Sequence, residues 1–552
     1  MKLQNYINLV AVIIFILLFL TGITIYTDYG ISWDEYNQRI NGFVNLNIIK
    51  QFFNFEIFPG IVPENYNGSL DVYLKNLGYE KSSQNFEKYM GKEYGAIFDL
   101  TMAYLEEKLK IINSIDYFHF RHLSNFLVFY ISSIFFYFLL KKRFSTKLSI
   151  IGLLFWILSP RIFAESFYNN KDIIFLSFFT IGLYCAIDFL DLPTYKKSFA
   201  LALSCALAIS LRVMGIIIPF IVVIFYILSI AGEKKNKYQN LNKIFFYFIL
   251  LILFTIVIWP HLWTNPLFNF LDTFKNMSAY PWRGSVFYFG DYISAKNLPW
   301  HYPIVWIFIS TPILYSLLFI IGSVFIISNM IVGFLNLSNN NISNDIWKNN
   351  KERMDIILFL IFFFTIFLVI KLNSTLYGGW RHLYFIYPCF IFISIRGLEH
   401  FYNKFSFKYL IFFILPFLIH TGFWMIKNHP FQFVFFNNLI VKDINNLFEL
   451  DYWGVSNKHS LEHILINDSN KKIKLFVASA SAYSFSLEMF DKKDKKRIKL
   501  VNNVTDADYL VTNHYYQNGN PKILNYNFKN NYNLVKELKI NNMPINSIYK
   551  IK

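Results

Sequence analysis

The chain has 552 residues, of which 55% are hydrophobic and 20% aromatic, whereas only 16% are charged. Soluble globular proteins carry about 25% charged residues, so this composition excludes an ordinary soluble protein and predicts a polytopic membrane protein. The net charge of +17 would suit nucleic acid, but no soluble segment has a basic stripe with interleaved aromatic residues. We therefore expect a lipid bilayer as partner and no nucleic acid.

Apolar segments long enough, or nearly long enough, to cross a membrane recur along the chain. The first has no cleavage pattern and is predicted to be an uncleaved signal anchor. About eleven transmembrane helices are predicted, near residues 9–26, 122–140, 148–163, 173–190, 198–211, 213–231, 244–262, 303–333, 355–371, 383–398 and 408–426.

The short connections between these segments alternate in charge. Basic residues cluster near 141–147, 196–197, 234–243, 348–353 and 404–408, and eleven spans would place all five clusters on one side. Because cytoplasmic loops carry an excess of Lys and Arg, that side and the N-terminus are predicted to be cytoplasmic. The sequence therefore predicts a multi-pass protein of the plasma (inner) membrane. The remaining loops, including 28–120, and the tail from 427 would be extracytoplasmic.

The first external loop, 28–120, contains two amphipathic patterns, from about 33 to 53 and from 86 to 112, joined by a turn-rich connector at 58–69. They are typical of helices that lie in the membrane interface. An acidic pair, Asp34 and Glu35, opens the first of them. Neighbouring helical residues point about 100° apart, and Glu35 precedes Arg39 by four positions, so an ion pair would leave Asp34 as the freer carboxylate. Acids at a helix N-terminus capped by Ser32 are the alternative explanation.

A second charged cluster, at 159–173, follows the third predicted span. It contains Arg161, Glu165, Lys171 and Asp172. Ionisable groups at this depth are energetically costly and tend to be functional, although charges at span ends also serve as membrane anchors. Four charges together exceed what an anchor needs.

A third cluster, at 377–388, combines Gly378 and Gly379 with Arg381 and His382. Glycines let the backbone approach a ligand closely, and a guanidinium binds phosphate through two donors. Arg121 and Arg212 are two further external cations. Together these cations indicate a site for an anionic group.

The loop at 280–303 is rich in aromatic residues. Trp282, Tyr288 and Trp300 are candidates for stacking on sugar rings, and a place in the membrane's aromatic belt is the alternative explanation.

The pattern of the tail predicts short strands at 472–481, 496–501, 506–516 and 547–552, with part of a helix at 460–466. We predict a small extracytoplasmic α/β domain, with boundaries of 1–426 for the transmembrane domain and 427–552 for the C-terminal domain.

The order of these features resembles the GT-C membrane glycosyltransferases. The shared features are an acidic pair after the first span, a long external first loop, an acidic second loop and a late R-H-L-Y-x-x-x-P pattern at 381–388. The branch of the protein O-mannosyltransferases and aminoarabinose transferases, which use polyprenyl-phosphate sugars, looks most similar. The resemblance covers residues 1–426 and implies a GT-C-like fold.

The resemblance also implies an activity. The protein would be an inverting hexosyl- or pentosyltransferase that moves a sugar from a polyprenyl-phosphate donor to an extracytoplasmic glycolipid, polysaccharide or protein. Asp34 would be the base, with Glu35 beside it. The donor phosphate would be bound by the external cations Arg381, His382, Lys171, Arg161 and Arg121. Asp172 and Glu165 would be the acids of the second loop, and Lys171 beside Asp172 opposes a divalent cation. No metal ion and no other cofactor are therefore expected.

Two other functions fit parts of the sequence. A transporter or flippase for lipid-linked sugars would also have many spans, but its ionisable residues usually lie near the middle of the bilayer and its halves are often related by repeats. A polysaccharide ligase or polymerase would share the external site and would use a carrier-linked oligosaccharide as donor.

Overall fold

A computed structural model describes residues 2–53, 91–231, 241–278, 280, 282–335, 347–437, 444–515 and 532–551. The predicted connector at 58–69, the start of the second amphipathic segment at 86–90 and the basic residues at 234–240 lie outside the described residues.

Nineteen helices are found in the described parts of the chain. The helices before the hairpin are α1 (Lys2–Ile25), α2 (Glu35–Phe53), α3 (Ile97–Leu109), α4 (Ser114–Arg143), α5 (Thr146–Ile157), α6 (Pro160–Tyr168), α7 (Asp172–Asp191), α8 (Tyr195–Leu211), α9 (Ile217–Ala231), α10 (Leu241–Ile258) and α11 (Pro266–Ser278). A hairpin of β1 (Ser285–Tyr288) and β2 (Asp291–Ser294) follows. The later helices are α12 (Tyr302–Ile309), α13 (Ile313–Leu335), α14 (Asn350–Lys371), α15 (Tyr387–Lys404), α16 (Phe407–Lys427), α17 (Asn457–Asn467), α18 (Tyr483–Ser486) and α19 (Lys492–Lys495).

The prediction of an α-helical polytopic membrane protein is confirmed. Among the described residues, seven helices are long and apolar enough to cross a membrane, namely α1, α4, α7, α10, α13, α14 and α16. The pair α5 and α6, bent by 61°, makes an eighth if it counts as one span. The predicted number of eleven is not confirmed. The predicted spans at 198–211, 213–231 and 383–398 form α8, α9 and α15, which are not among these seven, and the predicted span at 148–163 is broken between α5 and α6.

The central helices approach each other closely where glycines face one another. A Cβ added to Gly322 of α13 would lie 1.9 Å from the carbonyl oxygen of Ile393 in α15, and one on Gly397 would lie 2.2 Å from that of Leu318. Such small residues allow the close helix contacts that are common in membrane proteins. The surrounding core is rich in buried aromatic side chains from α4, α5 and α15.

Ion pairs tie the helices together at the end of the bundle formed by the C-terminus of α4. Arg143 contacts Asp355 of α14 at 2.7 Å and Glu399 of α15 at 3.0 Å. Arg353 contacts Asp191 of α7 at 2.9 Å. At the other end of α4, about 45 Å away at 1.5 Å per residue, begin the loops that carry the candidate site residues.

The predicted C-terminal α/β domain is also confirmed. Its five-stranded sheet has the order β4-β3-β5-β7-β6, formed by β3 (Ile473–Val477), β4 (Ile498–Val501), β5 (Tyr509–Thr512), β6 (Tyr532–Ile540) and β7 (Met543–Ile551). The first three strands in this order are parallel, and β7 is antiparallel to both of its neighbours. The predicted helix at 460–466 lies within α17, whereas β6 was not predicted.

The C-terminal domain contacts the first loop and the end of α1. The backbone N–H of Trp33 donates to the carbonyl of Trp453 at 3.0 Å, and Lys458 of α17 donates to the carbonyl of Thr27 at 2.7 Å. A β-bridge joins Tyr288 of the hairpin to Phe448. These contacts place residues 444–456 directly beside the loops that carry Asp34 and Arg381.

Candidate active site

Asp34, Asp172 and Arg381, from three separate parts of the chain, meet at one point. Arg381 Nη1 lies 2.8 Å from Asp172 Oδ2 and 3.6 Å from Asp34 Oδ2. The side chains of Arg381 and Asp172 are 2% and 1% exposed, whereas that of Asp34 is 24% exposed. Asp34 is therefore the acid of this group that an incoming molecule can reach.

Two further cations complete this cluster. Arg212, between α8 and a short 3-10 helix, forms an ion pair with the second oxygen of Asp172. Lys171 immediately precedes α7, and its ammonium lies 3.1 Å from the centre of the Tyr94 ring. Burial and the positive charge of Arg212 lower the pKa of Lys171 to about 7, against the opposite effects of Asp34 and Asp172. The Asp34–Arg381 cluster, defined here as Asp34, Lys171, Asp172, Arg212 and Arg381, thus has three basic and two acidic side chains.

Aromatic rings enclose the guanidinium of Arg381. Its central carbon lies 4.6 Å from the ring centre of Tyr377, 5.3 Å from that of Tyr452 and 4.7 Å from that of Trp453. Cation–π contacts of this kind hold a guanidinium in one orientation without neutralising its charge. Arg381 Nε has no hydrogen-bond partner among the described residues. The Arg381 guanidinium is thus held in place, and its Nε–H remains available to donate a hydrogen bond.

The turn before Arg381 depends on its two glycines. Gly378 and Gly379 have φ angles of +64° and +69°, which other residues adopt only with strain. The N–H of Gly379 donates to Glu449 Oε1 at 3.2 Å, and a Cβ on Gly379 would lie 3.3 Å from the Trp306 ring. The glycines therefore shape the turn and bind Glu449, a residue that the sequence analysis did not single out.

Glu35 has a different environment from Asp34. It is 1% exposed, its Oε1 accepts from the backbone N–H of Ser32 at 2.6 Å, and its Oε2 lies 2.8 Å from His122 Nε2. Arg39 contacts Glu106 of α3 at 2.8 Å, in place of the ion pair expected with Glu35. The pattern at 32–35 is a capping interaction that fixes the start of α2 and hence the position of Asp34.

Arg121 lies in a second buried cluster, with acids of α3. It forms ion pairs with Glu106 and, at 3.2 Å, with Asp99. Asn170 donates to Asp99 at 2.8 Å, which links this cluster to the residue before Lys171. Burial raises the pKa of Asp99 to about 7. The Nε and Nη1 of Arg121 are thus paired with protein acids one step removed from Arg381, whereas its Nη2 has no hydrogen-bond partner among the described residues.

Arg161 and Glu165 of α6 lie beside the Asp34–Arg381 cluster. Glu165 accepts from Tyr384 and from Asn169, both at 2.7 Å. Asn169 also donates to Asp172 at 3.2 Å, so Glu165 supports Asp172 indirectly. Arg161 lies 5.5 Å from the Trp306 ring centre, and its Nε and Nη2 have no hydrogen-bond partner among the described residues.

His382 and the predicted stacking residues lie around the cluster in different ways. Burial and the charge of Arg381 lower the pKa of His382 well below its usual range, so this side chain is neutral. Trp282 stacks on Tyr377 with ring centres 4.2 Å apart. Tyr288 hydrogen-bonds with His301 at 2.7 Å, and Trp300 is 66% exposed. Of the three, only Trp282 touches a residue that contacts Arg381.

An apolar groove runs along the outside of the bundle below Arg212. Its volume is about 490 Å³, and its walls come from α8, α9, α10 and α11. Two of its lining residues, Ile209 and Ile216, flank Arg212 in the chain. The groove is almost wholly lined by hydrocarbon, and these two residues bring its wall within four chain positions of Arg212.

Several contributors were not assigned to the site from sequence. Arg212 was noted only as an external cation, although it binds Asp172 directly. Tyr452, Trp453 and Glu449 come from the segment before α17 and had no local pattern that indicated a role. No group of three His, Cys, Asp or Glu side chains suited to a metal ion occurs within the described parts of the chain.

Comparisons with known proteins give a match to one family model, and the similar solved structures include two of the same protein. The family model described as dolichyl-phosphate-mannose-protein mannosyltransferase matches residues 65–274, a range that contains Lys171, Asp172 and Arg212. The structure of ArnT from Cupriavidus metallidurans in the apo state aligns with 100% of this chain and 98% of its own, at 10% identity and a TM-score of 0.48.

The structure of ArnT from the same organism bound to undecaprenyl phosphate covers 98% of this chain and 97% of its own, at 11% identity and a TM-score of 0.47. Among curated protein sequences, none matches this chain significantly.

Proposed function

We propose that this protein is an inverting glycosyltransferase that moves a sugar from a polyprenyl-phosphate carrier to an extracytoplasmic acceptor. One observation carries the proposal: a reachable carboxylate, Asp34, lies 3.6 Å from a buried guanidinium, Arg381, in a cluster with an excess of positive charge. The match of residues 65–274 to a mannosyltransferase family that uses a dolichyl-phosphate donor supports it.

The cluster and the groove together suit a lipid phosphate. Arg381, Arg212 and Lys171 provide donors for the phosphate oxygens. The apolar groove of about 490 Å³ beside Arg212 would hold the first isoprene units of the lipid tail. A lipid phosphate has a charged headgroup at the membrane surface and an apolar tail between helices. Its site therefore needs a charged cluster and an apolar groove side by side.

The reaction needs one base and a stabilised leaving group. The acceptor hydroxyl attacks the anomeric carbon of the sugar from the face opposite the phosphate. As the new carbon–oxygen bond forms, the carbon–oxygen bond to the phosphate breaks, and its electron pair remains on the phosphate oxygen. Asp34 accepts the proton of the acceptor hydroxyl. The anomeric configuration is inverted because there is a single displacement.

The leaving phosphate needs positive charge more than it needs a proton. Arg381, held among three aromatic rings and Asp172, is already oriented before the substrate arrives, and such preorganised groups cost no rearrangement during the reaction. Asp172 acts through the two arginines that it binds, and is therefore a positioning residue. Both of its oxygens are occupied by guanidinium groups, which oppose a divalent cation at this carboxylate.

A transporter is a weaker explanation of the same geometry. Transport sites usually lie near the middle of the bilayer, between broken helices of two repeats. Here the ionisable residues of the cluster lie at helix ends, in the loops before α2, α7 and α15. A ligase or polymerase would use the same residues and would differ in the size of the donor's glycan.

The test uses the full-length protein in lipid nanodiscs with a panel of hexosyl and pentosyl polyprenyl phosphates and a cell-envelope extract as acceptor. Mass spectrometry measures the release of polyprenyl phosphate and the labelled product. We expect Asp34→Asn to reduce transfer by about 10²–10⁴-fold, the usual contribution of a general base, without loss of donor binding.

The matched control is Asp28→Asn, six residues earlier. Asp28 is 44% exposed and contacts His429 at 2.7 Å, away from Arg381. This variant should retain transfer within a few-fold of the wild type. Normal transfer by Asp34→Asn, or movement of intact lipid-linked sugar across a vesicle membrane without a transferred product, would refute the proposal.

A further inference from the structure

A polar cavity of about 170 Å³ lies where the C-terminal domain meets the membrane-embedded part of the chain. Its walls come from the β1–β2 hairpin, the segment at 445–451 and the end of β5. Three amide side chains, Asn445, Asn446 and Asn513, and several aromatic rings, including those of Phe287 and Tyr292, line it. We call it the interdomain cavity, and the proposed transfer reaction does not use it.

The size and lining of the interdomain cavity favour a small, hydroxyl-rich ligand. Pockets for drug-sized molecules enclose about 300–1,000 Å³, so this one suits a unit of the size of a single sugar ring. Amide groups both donate and accept hydrogen bonds, as sugar hydroxyls do, and aromatic faces pack on the apolar face of a pyranose.

A buried carboxylate oxygen in the cavity wall lacks a partner. Glu449 is 8% exposed, and its Oε1 accepts from Gly379, but its Oε2 has no hydrogen-bond partner among the described residues. Buried polar atoms are almost always hydrogen-bonded, so such an atom needs an explanation. This oxygen is shielded from solvent, so a ligand hydroxyl would reach it once the Glu449 carboxylate turns towards the cavity.

Among the described residues, no Lys or Arg lines the interdomain cavity, so an anionic ligand would find no such cation there. Asp451, the second acid of the lining, is already saturated by the backbone N–H groups of Val455 and Ser456 and by the Ser456 hydroxyl. Glu449 is therefore the acid that remains to bind a ligand, and in its ionised form it would repel a phosphate or carboxylate. Neutral hydroxyl groups fit this lining best.

The interdomain cavity and the Asp34–Arg381 cluster share a wall. Glu449 binds the N–H of Gly379, two residues before Arg381, and the ring of Tyr452 packs on the Arg381 guanidinium. Three residues of backbone span at most about 10 Å, so Glu449 and Tyr452 are no more than about two sugar units apart. A ligand in the cavity could thus extend towards Asp34.

We propose that the interdomain cavity binds a saccharide unit of the acceptor, so that the acceptor is a glycan or glycolipid and not a peptide hydroxyl. This inference rests on the proposed transferase function. The sugar next to the unit in the cavity then presents its hydroxyl to Asp34. The C-terminal domain then contributes to the choice of acceptor, because Asn513, His514 and Tyr515 line the cavity.

The test measures saccharide binding and lipid binding separately. Saturation-transfer NMR of the full-length protein in nanodiscs is recorded with methyl glycosides of mannose, glucose, galactose and N-acetylglucosamine. Binding of undecaprenyl phosphate is followed by native mass spectrometry. Asn446→Trp fills the cavity from its exposed rim, and Asn446→Ala removes the amide without filling it. Asn503→Trp, at an exposed position of the same domain, is the control.

We expect at least one glycoside to bind the wild type and Asn503→Trp, with at least tenfold weaker binding to Asn446→Trp and a smaller loss in Asn446→Ala. Undecaprenyl phosphate should bind all four proteins equally. If the lipid binds but no glycoside does, or if Asn446→Trp binds glycosides normally, the inference is wrong and the proposed function stands.

Displacement of the glycoside by a serine-containing peptide would overturn the choice of a glycan acceptor. Glycoside binding that is lost in Asn446→Trp, together with no lipid binding by any of the proteins, would instead refute the proposed function and with it the assignment to the acceptor.

Discussion

Arg381 lies 3.6 Å from Asp34 and 2.8 Å from Asp172, so one guanidinium joins an accessible acid to a buried one. The buried acid holds Arg381 in place, and the accessible acid remains open to the outside. In the proposed reaction this arrangement puts the proton acceptor and the charge that stabilises the leaving group within one network of ion pairs. The roles of the two acids can therefore be separated by mutation.

Replacing Arg381 should weaken binding of the donor phosphate more than it weakens the fold. Arg381→Gln removes one charged donor, and hydrogen bonds to charged groups contribute about 1.5–3 kcal/mol each. We expect donor affinity to fall by about 10–100-fold, measured with a polyprenyl-phosphate sugar. Arg381→Lys keeps the charge but loses the paired donors of the guanidinium. Its donor affinity should therefore lie between those of the wild type and Arg381→Gln.

The control for this experiment is Arg283→Gln, because Arg283 is exposed and lies in the aromatic loop at 280–303. Its donor affinity should equal that of the wild type. Unchanged affinity in a folded Arg381→Gln protein would mean that the phosphate binds elsewhere.

Replacement of Glu35 should reduce the stability of the protein more than its transfer activity, in contrast to replacement of Asp34. Its carboxylate caps α2 through the Ser32 N–H and contacts His122, and both groups are buried. We expect Glu35→Gln to destabilise the protein by about 1–3 kcal/mol, because a buried charged hydrogen bond is replaced by a neutral one. Thermal unfolding in detergent measures this loss.

Transfer by the surviving folded fraction of Glu35→Gln should stay within about tenfold of the wild type, since Asp34 is intact. A variant with normal stability and no transfer would place Glu35, and not only Asp34, in the reaction. Comparison with Asp34→Asn in the same assay therefore separates the two neighbouring acids.

The membrane fold and the C-terminal domain could be predicted because they follow from composition and from local patterns. The number of spans could not be predicted, since one apolar stretch is broken by a bend and others form helices of only 15 to 17 residues. The break between α5 and α6 follows Leu158 and precedes Pro160, and Pro312 lies between α12 and α13. Hydropathy alone does not reveal whether a long apolar segment crosses the membrane as one helix or forms two shorter helices.

The candidate site could be predicted only in part, for a related reason. Asp34, Lys171 and Arg381 attract attention because charges beside apolar segments are rare. Tyr452, Trp453 and Glu449 do not, because aromatic and acidic residues are ordinary in an extracytoplasmic segment. Their role follows from the contact between the C-terminal domain and the loop at 377–382, which no periodicity in the sequence indicates.

Removal of divalent metal ions should leave transfer unchanged. Arg212 and Arg381 occupy both oxygens of Asp172, and the positive charges of the cluster already match a phosphate. We expect transfer in EDTA to stay within twofold of that in Mg²⁺ or Mn²⁺, measured with the same donor panel. A loss that added Mn²⁺ restores would instead require a metal ion in the reaction.

The affinity for the donor should depend on pH through Lys171. The pKa of this lysine is lowered to about 7, so its charge is present below that pH and is lost as the pH rises. A polyprenyl-phosphate sugar is a phosphodiester and keeps one negative charge over this range. We therefore expect the donor to bind best below pH 7 and its affinity to fall by at most tenfold per pH unit above it.

The same linkage predicts proton uptake. A bound phosphate favours the charged form of Lys171, so binding at pH 7.5–8 should take up a fraction of a proton, which calorimetry in buffers of different ionisation enthalpy detects. Glu449 has a pKa raised to about 7 by burial and titrates in the same range, so the wild type alone does not identify the group.

Lys171→Arg resolves this, because arginine stays charged and leaves Glu449 unchanged. This variant should lose most of the pH dependence and the proton uptake, whereas Lys171→Met should bind weakly at every pH. If Lys171→Arg keeps the full pH dependence, Glu449 or another group is responsible, and Lys171 does not provide the titrating charge that binds the phosphate.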